Sequence, residues 1–153
     1  MKRFFKFFFP FLMFLTILFI LNNSASTAEQ VGKTTEDIAE VIEEQVGSVT
    51  HQDVSFSGEQ KVMISKIGHF LEYAFFALFL SLSVTAFGQN LGEMFFHVLF
   101  CTVFLALADE QLQFLFLDRG SRVSDVIIDL AGGFLGYGIA RLSCRIWERR
   151  KEK

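Results

Sequence analysis

Residues Ile67 to Phe87 read IGHFLEYAFFALFLSLSVTAF. A hydrocarbon core about 30 Å thick is crossed by roughly 20 mostly apolar residues in an α-helix. This stretch is long enough, and its apolar residues form a block where a soluble amphipathic helix would show a stripe. Three further stretches pass the same test: Phe4 to Leu21, Met94 to Phe114, and Val126 to Leu142. Lipid supplies no partner for an open strand edge, so each is expected to be a helix. The spans predict an all-α fold, a polytopic membrane bundle of four transmembrane helices forming one domain over residues 1–153. A chain that is 52% hydrophobic, with 21 phenylalanines and a single proline, does not fit an ordinary soluble domain.

The formal net charge of −3 is unevenly spread. Lys2, Arg3 and Lys6 open the chain, and Arg141, Arg145, Arg149, Arg150, Lys151 and Lys153 close it. From Asn22 to Lys61, Glu29, Glu36, Asp37, Glu40, Glu43, Glu44, Asp53 and Glu59 outnumber Lys33 and Lys61. Basic residues mark the cytoplasmic side, and four spans return the chain to the side it left. Both termini are therefore expected in the cytoplasm of a plasma-membrane protein, with residues 22–66 as one short acidic extracytoplasmic segment. The expected partners are membrane lipids, not nucleic acid. The opening residues also read as a secretory signal, with Ser26 and Ala28 as small residues before a cut. The unbroken apolar core from Phe7 to Leu21 favours retention of the span instead.

Inside the acidic segment, Thr35 to Gln45 reads as a short amphipathic helix, capped by Thr35 and stopped by Gly47. Cys101 and Cys144 have no metal-binding spacing and read as packing residues, as does His97 in the inner half of the third span.

Ionisable groups inside spans are costly, roughly 2.5 to 3.5 kcal/mol each, and usually face a bundle interior or a wet cavity. At 1.5 Å rise per residue, Glu72 lies roughly 22 Å from Phe87, Asp109 about 24 Å from Glu93, and Asp125 about 24 Å from Arg141. Three helices thus bring carboxylates to one level in the outer leaflet. Lys66, His69 and Tyr73 share a side of the second span with Glu72 beside them; Asp109, Glu110 and Gln113 end the third. On the fourth, Asp125, Asp129, Gly132 and Gly136 form one stripe, whose glycines allow a neighbouring helix close approach. Arg119 and Arg122 stand in the loop above. Acids outnumber bases in this set, which points to a ligand site more than to a self-neutralising lock.

The segments KIGHFLEYAFFALFL (Lys66 to Leu80) and ADEQLQFLFLDRGSRVSDVIIDLAGGFLGYG (Ala108 to Gly138) resemble the VanZ-like family. The pattern is Lys-x-x-His-Phe-x-Glu-Tyr, then Asp-Glu-x-x-Gln, an arginine-containing loop, and Asp-x-x-x-Asp/Asn-x-x-Gly. Lys66, His69, Phe70, Glu72, Tyr73, Asp109, Glu110, Gln113, Arg119, Asp125, Asp129 and Gly132 occupy it. The loop lacks the proline often found before its arginine, and Asp129 stands where Asn is frequent. The resemblance implies a bacterial envelope protein linked, through the family's namesake, to resistance to the glycopeptide teicoplanin. It supplies no reaction.

The expected function is therefore a non-enzymatic envelope protein that binds a lipid-linked wall precursor or glycopeptide at the outer face, without a resident cofactor. The alternative is a membrane-embedded enzyme using His69 with a carboxylate as acid and base. A metal-dependent version would use His69, Glu72 and Asp109 as ligands. No nucleophile elbow, zinc-protease motif or phosphate loop is present. A transporter ranks third, because four spans without repeats offer no symmetry for alternating access.

Overall fold

A computed structural model describes residues 2–51, 53, 55–116 and 123–151. Five helices follow one another: α1 (Lys2–Ser24), α2 (Ala28–Thr50), α3 (Gly58–Ala86), α4 (Phe95–Phe116) and α5 (Val123–Lys151). No strand occurs among the described residues. Four of the helices are long and apolar enough to cross a membrane: Arg3–Ser24, Gly58–Ala86, Phe95–Leu115 and Val123–Arg150.

Two helix starts are fixed by reciprocal side-chain caps. The Thr27 hydroxyl accepts from the Gln30 amide while the Gln30 side chain accepts from the Thr27 amide. Ser57 and Gln60 repeat the arrangement ahead of α3. Each box satisfies two amide donors that a helix start otherwise leaves open. These caps change the expected boundaries. The helix that carries the second span begins at Gly58, ahead of Ile67, and the short helix expected over residues 35–45 extends over 28–50. Thr35 lies inside α2 because Thr27 has already capped it. Gly47 does not end the helix, since a single interior glycine costs only about 1 kcal/mol. The chain leaves α2 through His51, in the left-handed region at φ 54°. A tight connection between α3 and α4 includes Gly88 at φ 85°, a conformation that suits a residue without Cβ.

The closest helix pair is α3 with α5. An ideal Cβ on Gly132 would overlap the Phe70 carbonyl oxygen, and one on Gly136 the Ala74 carbonyl oxygen. The glycine stripe is thus where α5 packs against the α3 backbone. On one side of this pair, α1 and α4 meet α3 around Ile20, Tyr73, Phe76 and Ala106. Further along, Ala77, Leu91, Val98 and Ala140 form a second core. The outer surface is apolar, with Phe7, Phe96, Phe100 and Leu115 all exposed. Such a surface would be an aggregation liability in water and is what a bilayer solvates.

Two expected packing residues face outward instead. His97 and Cys101 are exposed on α4, whereas Cys144 is half-buried with its sulfur 3.6 Å from Thr85 Oγ1. Val98 and Thr102, between and beside them, supply the buried face of α4.

Candidate functional site

Four helices meet at one end of the bundle. α1 and α4 arrive by their C-terminal turns, and α3 and α5 by their N-terminal halves. The opposite end carries the basic residues: Lys6 sits 5.6 Å from the Phe87 ring, and Arg141 donates to the Tyr137 hydroxyl at 3.2 Å. Carboxylates from α3, α4 and α5 meet there, with Asp129 in the place the helical rise suggested for Asp125. Asp109 and Asp129 are fully buried, with Glu72, Glu110 and Gln113 almost so.

Asp109 is the best-partnered member. Its Oδ2 accepts from the Tyr73 hydroxyl at 3.2 Å, and its Oδ1 accepts from Gln113 Nε2 at 3.3 Å and from the Ser24 hydroxyl. Glu72 turns away from this group towards α1, where Asn23 Nδ2 donates to its Oε1 at 2.8 Å. His69 lies between two helices, its Nδ1 3.9 Å from Asp109 Oδ2 and 3.7 Å from Asp129 Oδ1. Neither oxygen of Asp129 has a hydrogen-bond partner, and neither does His69 Nδ1. A buried polar group in that state costs free energy, and far more if it is charged.

The remaining expected residues sort by position. Lys66 and Asp125 face each other at 3.9 Å on a more exposed flank, so this pair borders the cluster without entering it. Glu110 is buried beside Asp109. Arg119, with Asp118 and Arg122, lies outside the described residues. The expected metal-ligand set was His69, Glu72 and Asp109. The structure instead gathers His69, Asp109 and Asp129, whose ligand atoms all lie within 4.8 Å of one another. Rotation of α3 explains the exchange: with Phe70 and Ala74 against the α5 glycines, His69 faces Asp129 and Glu72 faces Asn23.

Sequence reasoning missed Asn23 and Ser24. Both follow directly on the apolar run of α1, where they resemble the polar end of a signal sequence. Their place at the level of Glu72 and Asp109 is the signal that could have found them.

A groove of about 690 Å³ leads to this cluster. Its apolar walls come from Leu15 and Phe19 on α1, Phe75 and Phe79 on α3, and Val31 and Ile38 on α2. Asn23, His69, Glu72 and Gln113 supply its polar lining. The volume falls in the usual range for a small-molecule site, about 300–1,000 Å³. His69 belongs to both features, lining the groove and pointing its Nδ1 at the two buried aspartates.

These features define a multi-pass helical membrane protein with a buried carboxylate–imidazole cluster beside an apolar groove. The chain matches the VanZ/LLP1 family model over residues 6–144 and belongs to that family. No curated protein and no solved structure matches it.

Proposed function

We propose that this VanZ-like protein holds a lipid-linked cell-wall component at the outer face of the plasma membrane and thereby contributes to teicoplanin tolerance. The observation that carries the reading is the shared position of His69. An apolar groove suited to a lipid chain ends on the polar groups that would meet its headgroup. The outer-face assignment rests on charge: the basic termini lie at the end of the bundle away from the cluster, and the acidic α2 accompanies the cluster. Both termini are then cytoplasmic.

A membrane enzyme acting on a lipid or wall precursor is the second reading, favoured by an imidazole between two carboxylates. Binding is preferred because an apolar groove lined at one part by Asn23, His69, Glu72 and Gln113 supports a ligand with a lipid chain and a polar headgroup.

Lipid analysis of the full chain purified in mild detergent tests the proposal. The parent should retain a prenyl-phosphate-linked lipid. Gly68 lines the groove, and a Cβ there meets nothing within 4 Å. The backbone there accepts a side chain, so Gly68→Leu should narrow the mouth and deplete the lipid from a folded protein. A parent free of such lipid, or undiminished retention by the variant, would refute it.

A further inference from the structure

Among the described residues, unpaired buried polar atoms gather in the space between His69, Asp109 and Asp129. Asp129 is fully buried and both of its oxygens lack a hydrogen bond; the neighbouring His69 Nδ1 lacks one as well. A protonated Nδ1 would supply one donor. It would serve one of two carboxylates, 3.9 and 3.7 Å away, and leave the second Asp129 oxygen bare. A buried carboxylate that keeps its charge must be paired or coordinate a metal, and one imidazole at 3.7 Å or more is a thin partner for two aspartates. Lys66 does not meet that need, because it faces Asp125 on the exposed flank.

We propose that His69 Nδ1, Asp109 Oδ2 and Asp129 Oδ1 form a binding site for a divalent metal ion, Mn²⁺ or Zn²⁺. One imidazole and two carboxylates suit these ions, whereas thiolate-seeking metals would find no sulfur ligand here. Bonds of about 2.1 Å set ligand atoms about 3.4 Å apart around a tetrahedral centre. The two imidazole–carboxylate separations are 3.7 and 3.9 Å and all ligand atoms lie within 4.8 Å of one another, so side-chain rotations are needed to close the set to that value. The support around the ligands also fits. Tyr73, Ser24 and Gln113 donate to Asp109 and fix its carboxylate, as outer partners of metal ligands do. Close packing of Gly132 on Phe70 fixes Asp129 opposite His69. Three protein ligands leave a coordination position free for a water or a headgroup oxygen.

The cation site stands independently of the lipid reading. If that reading also holds, the ion supplies the positive charge a lipid phosphate needs beside four buried carboxyl groups, Glu72, Asp109, Glu110 and Asp129.

The test uses the full chain without a polyhistidine tag, in detergent, stripped with a chelator and titrated with Mn²⁺. The sequence has three histidines, and His51 and His97 are exposed. A His51→Asn, His97→Asn double variant therefore leaves His69 as the sole imidazole. It should bind one equivalent of Mn²⁺ and show nitrogen coupling to the bound ion in pulsed electron paramagnetic resonance. Asp129→Asn should weaken binding at least about tenfold, and Glu72→Gln should bind like the parent. A monodisperse parent that binds neither Mn²⁺ nor Zn²⁺ at millimolar concentration would overturn the proposal, as would bound Mn²⁺ without nitrogen coupling. Loss of binding in Glu72→Gln but not in Asp129→Asn would overturn the ligand set. Ion binding by protein devoid of lipid would leave the cation site standing and count against the lipid reading alone.

Discussion

Replacing Gly136 with alanine adds one methyl group where α5 lies on α3. The new Cβ would stand 2.9 Å from the Leu78 amide nitrogen and overlap the Ala74 carbonyl oxygen. Both are backbone atoms inside a helix, so neither can swing aside as a flexible side chain would. Relief requires α5 to withdraw by more than about 1 Å, because the Ala74 oxygen falls much further inside ordinary contact, near 3.4 Å, than the Leu78 nitrogen does. A radial gap of about 0.5–1 Å forfeits a quarter to a half of the dispersion well for each affected atom pair. Overpacking of this kind costs about 1–3 kcal/mol, and a chain of this size loses about 2–4 °C of Tm per kcal/mol. Gly136→Ala should therefore melt roughly 2–12 °C below the parent in detergent. Gly138 provides the internal control, because a Cβ there meets nothing within 4 Å. Gly138→Ala should melt at or slightly above the parent temperature, through better helix propensity. Equal melting temperatures for the two variants, measured by thermal-shift size-exclusion chromatography, would refute the close α3–α5 packing.

Two other expectations follow from the same geometry. In a background lacking Cys101 and Cys144, a cysteine at Glu44 should react with an impermeant maleimide in intact cells while one at Asn90 should not; the reverse pattern would invert the orientation. Asn23→Ala removes the donor to a nearly buried Glu72 and should cost about 1–3 kcal/mol in detergent melts. Adding Glu72→Leu should restore much of it, whereas strictly additive losses would mean that the bond contributes nothing.

The spans were legible because a membrane helix must be apolar all round over a fixed length. The common level of Glu72, Asp109 and the α5 aspartates was legible for a related reason, since helical rise converts residue counts into depth. The Gly132–Gly136 stripe could be read as a contact because only small residues permit it. Helix rotation was harder to see. In a span whose lipid face and packed face are both apolar, His97 and Cys101 give no sign of which way they point. That ambiguity also hid the exchange of Glu72 for Asp129 as the neighbour of His69, which depends on how α3 turns against α5. The length of α2 was obscured because Thr27 and Gln30, which cap it, sit in a stretch that also reads as a processing site.

The central claim is that the cluster around His69 is kept for a ligand and not for the stability of the bundle. His69 Nδ1 makes no hydrogen bond and stands 3.7 and 3.9 Å from its carboxylate neighbours, and His69→Gln keeps a polar donor there, so the packing of the helices is expected to survive the change. Thermal melting of the purified variant, set beside the teicoplanin susceptibility of cells expressing it, tests the claim most directly. A melting temperature close to the parent's is expected, together with susceptibility that falls back to the empty-vector level. A folded His69→Gln protein conferring full tolerance would contradict it, as would parallel loss of stability and tolerance, or a parent no more protective than the vector.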